Sequence, residues 1–353
     1  MHPDPEPRRG TLADGREILY FDDAGAVREP PVADPRDLGA PPEPAELRLD
    51  RLTDEWVIVA AARQDRTFLP SASDCPLCPS HHGAQTEIPD PDYDVAVFQN
   101  RFPSLPAAAA GATPAGRSEV VCYSSAHEAS FAALPAERLR SIGRAWVHRT
   151  RELSADPTVL AVMCFENRGV EIGVTLHHPH GQIYAYPYVP SRIGRLVATA
   201  EEHRDRTGAC LACELLAEEL ADGTRIVAEG DLAVAYVPEA ARWPWEIHVV
   251  PRRHVHRLPA LAPGELEELV LLQADVLARL DTLFARPAPY MAGWLQAPRD
   301  TDLHLRLEVI SPLRAADRLK YLAGSESLAG AFINDIRPEE AAERLRSVPG
   351  RGA

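Results

Sequence analysis

The sequence contains no long run of hydrophobic residues. It has 353 residues, of which 45% are apolar, the proportion expected of a globular chain. A membrane-spanning helix needs about 20 consecutive apolar residues, and no segment approaches that length. The opening residues, MHPDPEPRRGTLADG, include basic residues but lack the apolar stretch of a secretory signal. We therefore expect a cytoplasmic protein without a membrane partner.

Positive charge is also scarce. The chain has 37 Lys and Arg against 52 Asp and Glu, which gives a formal net charge of −15 at pH 7. Binding along a phosphate backbone requires clustered basic residues, so the composition argues against a nucleic-acid partner. A small phosphorylated ligand stays possible, because a pocket needs only a few local cations.

Cysteine is sparse as well, and six residues in so long a chain do not indicate a disulfide framework. Cys122 and Cys164 lie within apolar β-like runs, which predicts buried thiols. The other four form two C-x-x-C pairs: Cys75 with Cys78, and Cys210 with Cys213. Such pairs, in a chain without a secretory segment, are typical of metal sites.

The sequence does contain an ordered succession of strand and helix patterns after an irregular start. Residues 1–46, rich in Pro and acidic side chains, predict an irregular N-terminal arm. We expect one unit over residues 47–200 and a second over 201–348. Hydrophobic periodicity predicts strands at 52–60, 92–100, 118–124, 158–167, 171–176, 180–187, 225–230, 232–238, 246–251 and 303–310. It predicts long helices at 136–153, 191–207 and 264–284.

The second unit repeats the order of the first, which indicates an internal duplication. Cys78, His127 and His178 are separated by 49 and 51 positions. Cys213, His254 and His304 are separated by 41 and 50 positions. His127 and His254 each follow a β-like run and precede a helix that starts with Pro, so the two sets occupy corresponding places.

The first unit offers four ligands of the kind that tetrahedral zinc prefers: Cys75, Cys78, His127 and His178. By the same logic the second unit offers a second zinc site: Cys210, Cys213, His254 and His304. His81 and His82 are competing ligands in the first site, and His256 competes in the second. If the repeat is left out of account, each cysteine pair is explained equally well as two free thiols in an ordinary loop.

The run His178-Pro179-His180-Gly181-Gln182 is the most informative segment. On an extended chain residues 178, 180 and 182 share one face, so a metal ligand, an imidazole and an amide can point the same way. Neutral imidazole attacks phosphorus well near pH 7, which makes His180 a candidate nucleophile for a nucleotidyl phosphate. A backbone carbonyl that accepts from Nδ1–H would leave Nε2 free.

Six strings carry a resemblance to a known family: LTDEWVIVAAARQDR (52–66), CPLCP (75–79), VFQNRFP (97–103), FENRG (165–169), HPHGQIYAYPYVP (178–190) and LKYLAGSE (319–326). From about Leu47 to Arg346 the chain resembles the galactose-1-phosphate uridylyltransferases, a branch of the histidine-triad superfamily. The resemblance implies an α+β fold in which two tandem histidine-triad halves form a largely antiparallel sheet flanked by helices. It also implies a homodimer with shared active sites.

The resemblance further implies a ping-pong reaction. UDP-glucose uridylylates the histidine, glucose 1-phosphate leaves, and galactose 1-phosphate takes the uridylyl group as UDP-galactose. By motif, His180 resembles the nucleophile and Gln182 the amide that binds a phosphoryl oxygen. Five residues resemble nucleotide and phosphate contacts: Arg63, Arg66, Asn100, Asn167 and Thr175. Three resemble a hexose-phosphate motif supplied by the neighbouring subunit: Lys320, Gly324 and Glu326.

Gln182 favours transfer over hydrolysis, because an amide binds charge but cannot shuttle a proton to a leaving group as a histidine can. Two alternatives stay open. The chain could be a nucleotide-sugar phosphorylase or hydrolase of the same superfamily, or a zinc-stapled scaffold without activity.

Some family members carry an iron site that this sequence does not reproduce. Leu295 and Arg306 stand where that site has histidines, so we expect two zinc ions and no iron. In the duplication Arg306 corresponds to His180. The second unit is therefore expected to have no nucleophile and to act as scaffold.

Overall fold

The computed structural model describes residues 5–65, 69–81, 84–106 and 115–351. The strands in these ranges are β1 (Arg8–Thr11), β2 (Glu17–Phe21), β3 (Glu46–Asp50), β4 (Glu55–Val59), β5 (Val95–Gln99), β6 (Arg117–Cys122), β7 (Ala161–Arg168), β8 (His180–Tyr186), β9 (Ile226–Glu229), β10 (Ala233–Tyr236), β11 (Trp245–Pro251), β12 (Tyr290–Leu295), β13 (Arg306–Ser311), β14 (Leu313–Ala315) and β15 (Arg318–Leu319). The α-helices are α1 (Ala136–Ala155), α2 (Ser191–Thr207), α3 (Leu211–Asp222), α4 (Pro263–Phe284), α5 (Gly324–Ala329) and α6 (Pro338–Ser347).

Eleven strands form one sheet, in the order β1-β2-β5-β6-β8-β7-β12-β13-β11-β10-β9. Every neighbouring pair in it is antiparallel. From the middle outwards, β7-β8-β6-β5-β2 corresponds to β12-β13-β11-β10-β9, so the halves repeat one arrangement about the β7–β12 pair. The predicted α+β class, with a largely antiparallel sheet flanked by helices, is confirmed.

The core is shared between the two halves. Helices α1 and α4 occupy corresponding places, between β6 and β7 and between β11 and β12, and they pack against each other. Leu139, Ile142 and Trp146 recur at helical spacing along α1 and are buried. Trp146 lies beside Trp294 of β12, with ring centroids 6.2 Å apart. One continuous apolar cluster therefore supports both units.

Residues 1–46 are not irregular throughout, and that prediction was wrong for residues 8–21. These residues form β1 and β2, and β2 pairs with β5 and so extends the sheet. The reason is the string EILYF, whose last four side chains are buried. Pro and acidic residues dominate the composition around it and hide this short strand. The division into units at residue 200 stays a prediction.

The three long helices predicted from periodicity are confirmed as α1, α2 and α4. Their bounds differ from the predicted ones by two residues at most. None of the helices in the part of the chain that the structure describes is apolar over enough of its length to cross a membrane.

Candidate active site and metal centres

The four predicted ligands of the first unit lie together. Cys75 and Cys78 follow a short 3₁₀ helix, His127 follows β6, and His178 precedes β8. The ligand atoms all lie within 4.8 Å of one another. The Cys78 Sγ is 3.3 Å from Nδ1 of His127 and 3.5 Å from Nδ1 of His178. Two thiols and two imidazole nitrogens are a donor set that suits a tetrahedral metal ion.

The imidazole of His178 is held by groups outside this cluster. Its Nε2–H donates to the carbonyl of Ser124 at 2.8 Å, and the Tyr93 hydroxyl lies 2.9 Å from the same nitrogen. That hydroxyl donates in turn to the carbonyl of Leu77 at 2.9 Å. Because Nε2 carries the proton, Nδ1 keeps its lone pair for a metal ion.

The second cluster repeats this geometry. Cys210, Cys213, His254 and His304 bring their ligand atoms within the same limit. The Cys213 Sγ is 3.4 Å from Nδ1 of His254 and 3.4 Å from Nδ1 of His304. His304 donates from Nε2 to the carbonyl of Pro251 at 3.0 Å, and Nε2 of His254 lies 2.8 Å from a carboxylate oxygen of Asp302.

The two competing histidines that the structure describes do not join these clusters. His256 is exposed and is not among the residues of the second cluster, and His81 is not among those of the first. His82 lies outside the described residues. Both cysteine–histidine clusters therefore have a geometry that could hold a metal ion, and they consist of the residues that the spacing singled out.

His180 is the first residue of β8, and its side chain is fixed by the backbone two residues earlier. Its Nδ1–H donates to the carbonyl of His178 at 2.8 Å, which leaves Nε2 unprotonated. Burial lowers the pKa of His180, so the neutral, nucleophilic imidazole is favoured. In β13, the corresponding first position is occupied by Arg306, whose Nε donates to Glu308 at 2.9 Å. The second unit thus has an ion pair where the first has its imidazole.

A cavity of about 910 Å³ lies over β5, β6 and β8. It brings together six of the predicted catalytic and substrate-binding residues: Arg63, Asn100, Asn167, Thr175, His180 and Gln182. The Gln182 Oε1 is buried and has no hydrogen-bond partner among the residues described. Arg63 donates to the carbonyl of Phe102 at 3.3 Å. Arg66 lies outside the described residues.

A second, smaller cavity of about 480 Å³ adjoins the first. His180 and Asn167 line both cavities. Glu166, Arg168 and Glu171 add charged groups to the smaller one. A group bound at His180 therefore has space on two sides.

Lys320, Gly324 and Glu326 line neither cavity in this chain. Lys320 is buried, and its Nζ donates to Glu326 at 2.6 Å and also to the carbonyl of Ile333. Gly324 is the first residue of α5. The Lys320–Glu326 pair holds the segment that follows β15 and lies outside both cavities of this chain.

Two family models match the chain. The first is described as Galactose-1-phosphate uridyl transferase, N-terminal domain, and covers residues 42–190. The second is the C-terminal domain of the same family and covers residues 197–351. The chain belongs to the galactose-1-phosphate uridyl transferase family.

Individual relatives agree with this family. A galactose-1-phosphate uridylyltransferase of Streptomyces lividans is 42% identical over 96% of this chain and 96% of its own length. One of Thermotoga maritima is 38% identical over 86% of this chain and 98% of its own length. A solved uridylyltransferase structure superposes with a TM-score of 0.74 at 29% identity, covering 85% of this chain and 97% of that one. The predicted family, and a uridylyltransferase as the class of enzyme, are confirmed.

Several residues that shape this uridyl transferase site are not marked in the sequence. Tyr93, Ser124 and Asp302 fix the ligand imidazoles, yet Tyr93 is 85 positions away from His178. Arg36 and Leu38, in the segment predicted to be an irregular arm, line the larger cavity. Among these, Asp302 alone has a local signal, because it lies two positions before a ligand histidine.

Gly181 is required where β8 of this uridyl transferase passes a buried tyrosine. An added β-carbon would overlap the Tyr123 hydroxyl and lie 2.8 Å from the carbonyl oxygen of Phe165. Gly181→Ala is therefore expected to displace β8, to lower the free energy of unfolding by roughly 1–3 kcal/mol, and to reduce kcat as His180 moves. Denaturant titration and initial rates measure both effects.

Gly194→Ala in α2 is the matched control for this change. The nearest heavy atom to its new methyl group is 3.8 Å away, an ordinary contact, so the variant should keep wild-type kcat and be as stable as the wild type or more stable by up to about 1 kcal/mol, since Ala favours a helix over Gly. Equal stability of the two variants would contradict the overlap at Gly181.

Glu166 is a buried carboxyl in β7, paired across the sheet with Gly181. Its Oε1 accepts from the Tyr290 hydroxyl at 2.8 Å. Burial raises the pKa of Glu166 from an ordinary 4.5 to about 7, although the Tyr290 hydroxyl opposes the shift. The folded-state pKa lies above the unfolded one, so the fold loses stability as pH rises from about 4.5 through 7, by roughly 3 kcal/mol.

Glu166→Gln removes this titration. We expect the variant to raise the free energy of unfolding at pH 8 by up to roughly 3 kcal/mol and at pH 5 by about 1 kcal/mol or less. Chemical denaturation at the two pH values measures the difference. Glu218→Gln, at an exposed position of α3, should show no such pH dependence. A gain of the same size at both pH values would contradict the raised pKa.

Proposed function

We propose that the chain transfers a uridylyl group from UDP-glucose to galactose 1-phosphate through a covalent uridylyl-His180 intermediate. The fixed imidazole is the observation that carries this proposal, because the 2.8 Å hydrogen bond from Nδ1 to the His178 carbonyl leaves the Nε2 lone pair available. Nε2 attacks the α-phosphorus, and the bond to the bridging oxygen breaks with its electron pair, which releases glucose 1-phosphate. A phosphate oxygen of galactose 1-phosphate then attacks the same phosphorus, the P–N bond breaks, and UDP-galactose leaves.

Side chains around His180 fit the charge that develops on the phosphoryl oxygens. We assign Gln182 to one of these oxygens, as a hydrogen-bond donor through its side-chain Nε2–H, and Arg63 to the neutralisation of phosphate charge. Their shared place in the larger cavity supports this assignment. Asn100, Asn167 and Thr175 are assigned to the orientation of the nucleotide, and Arg66, which follows Arg63 by three positions, to the phosphates.

The two adjoining cavities suit the two ends of a nucleotide sugar. We assign the nucleoside to the larger and the hexose to the smaller, since His180 and Asn167 line both. The segment organised by Lys320 exposes Tyr321, with 77% of its surface accessible. We propose that a second copy covers this segment in a homodimer, so that Lys320, Gly324 and Glu326 complete the site of the neighbouring subunit.

We further propose that each cysteine–histidine cluster binds one zinc ion. Two thiolates and two Nδ1 atoms are the donor set that structural zinc prefers, and the Nε2 atoms of His178, His254 and His304 are engaged by groups outside the clusters. Zinc would cross-link the loops next to β6 and β8 in the first unit and the corresponding loops in the second unit. It would take no part in the chemical step. Elemental analysis of purified protein should find two zinc ions per chain and no iron.

The test of the reaction is a double-displacement assay with UDP-glucose labelled in the uridine. The protein alone should retain label in an acid-labile adduct and release glucose 1-phosphate. Galactose 1-phosphate should then discharge the adduct as labelled UDP-galactose. Release of ADP from ADP-glucose by inorganic phosphate, with no galactose 1-phosphate exchange, would favour the phosphorylase. Absence of any adduct and any turnover would favour the scaffold. A cytoplasmic location and the lack of nucleic-acid partners stay predictions from composition.

A further inference from the structure

We infer that the N-terminal segment ahead of the family match closes the nucleoside end of the larger cavity, with Leu38 in contact with the bound nucleotide. The inference rests on the proposed function and adds a binding residue outside the family region. The match to the family model begins at residue 42. The Thermotoga maritima relative, aligned over 98% of its own length, covers only 86% of this chain. Arg36 and Leu38 nevertheless line the cavity that contains His180 and Gln182.

The segment is attached firmly to the wall of the cavity. Arg36 forms ion pairs of 2.7 Å with both Asp34 and Glu87. Glu87 also pairs with Arg16 at 2.7 Å, and Arg16 donates to the carbonyl of Gln99, the last residue of β5. The side chains of Asp34 and Arg36 are 1% and 9% exposed. These buried pairs fix the backbone two residues before Leu38.

The position of the segment relative to His180 follows from the strand register. Gln182 pairs with Val120, Val120 pairs with Phe98, and Phe98 pairs with Ile18 of β2. Neighbouring strands lie about 4.8 Å apart, so Phe98 is about 10 Å from Gln182 across the sheet. Val120 and Phe98 both line the cavity. An apolar floor therefore leads from the phosphate position towards the N-terminal segment.

This floor suits a base more than a phosphate. A nucleoside whose phosphate sits at His180 extends over Val120 and Phe98, and its base then reaches the wall formed by the half-buried Leu38. The charge of Arg36 is already compensated by two carboxylates. Arg36 therefore positions Leu38 and does not neutralise a phosphate, and the contact that Leu38 offers is apolar.

The test uses Leu38→Ala in the full chain. We expect KM for UDP-glucose and the calorimetric Kd for UMP to rise roughly fivefold or more, because apolar contact area is lost. The kcat should stay near wild type, since the contact is equal in the ground state and the transition state. Leu38→Met should restore both constants. Val32→Ala, in the same segment at a position 50% exposed and away from the cavity, is the matched control and should bind UMP as wild type does.

The outcomes separate this inference from the proposed function. Wild-type UMP affinity in Leu38→Ala overturns the inference, even if the wild-type enzyme transfers uridylyl groups normally. An equal loss of affinity in Val32→Ala would overturn it too, by showing a general structural effect. If the wild type forms no uridylyl adduct but UMP binding still depends on Leu38, the proposed reaction fails and the inference stands. Arg36→Ala is unsuitable, because it leaves the Asp34 and Glu87 carboxylates buried and unpaired.

Discussion

His180→Gly is expected to lower the rate of uridylyl transfer by roughly 10⁴-fold or more, because the covalent path requires the lone pair of this imidazole. The nitrogen that would attack is left unprotonated by the hydrogen bond from Nδ1 to the His178 carbonyl. Steady-state rates with UDP-glucose and galactose 1-phosphate measure the loss. Mass spectrometry of protein incubated with UDP-glucose alone should detect a uridylyl adduct on the wild type and none on the variant.

His256→Ala is the matched control, because this histidine is exposed and belongs to neither cavity nor metal cluster. It should keep wild-type turnover and form the adduct. Residual activity of His180→Gly within tenfold of the wild type would rule out the covalent intermediate at this residue.

The second large effect is expected from Cys78→Ala. The variant should lose one of two zinc ions and several kcal/mol of unfolding free energy, because the energy of binding a structural zinc ion is also folding energy. It should also lose activity. His178 belongs to the same cluster, and its carbonyl accepts from the Nδ1–H of His180, so the proposed nucleophile lies two positions after a proposed zinc ligand. Elemental analysis, thermal unfolding and initial rates measure the three effects.

Two comparisons control this result. Cys164→Ala removes a buried thiol that belongs to neither cluster, so zinc content and kcat should stay unchanged. Cys213→Ala should lose one zinc ion and stability but keep most of kcat, because Arg306 and not a nucleophile lies beside that centre. Equal loss of kcat in Cys78→Ala and Cys213→Ala would contradict a purely scaffolding second centre.

The ligand clusters were predictable from the sequence because a duplication repeats their spacing. Cys213, His254 and His304 would seldom match the spacing of the first set by chance, and in the structure the members of each set lie close to one another. The orientation of His180 was predictable for a different reason. A histidine two positions after a ligand in an extended chain has a backbone carbonyl within reach of Nδ1.

The remaining features depend on contacts between distant parts of the chain. Tyr93 holds His178 from 85 positions away, and the segment that brings Leu38 to the cavity is anchored by the ion pair between Arg36 and Glu87. The ion pair between the buried residues Lys320 and Glu326 was not predictable from the sequence either. A motif with two opposite charges does not reveal whether these charges face each other or a ligand. The composition of residues 1–46 wrongly predicted an irregular arm for the same reason, because the four buried residues of β2 are enough to form a strand.

The β7–β12 pair has a consequence for the independence of the two units. A chain that ended after α2 would leave β7 as an unprotected edge strand, with the hydrogen-bonding groups from Phe165 to Arg168 open to pairing with other chains. Asn167, which lines both cavities, lies in that strand. The second unit, which has Arg306 where the first has His180, thus covers this edge and holds in register the strand that contributes Asn167 to both cavities.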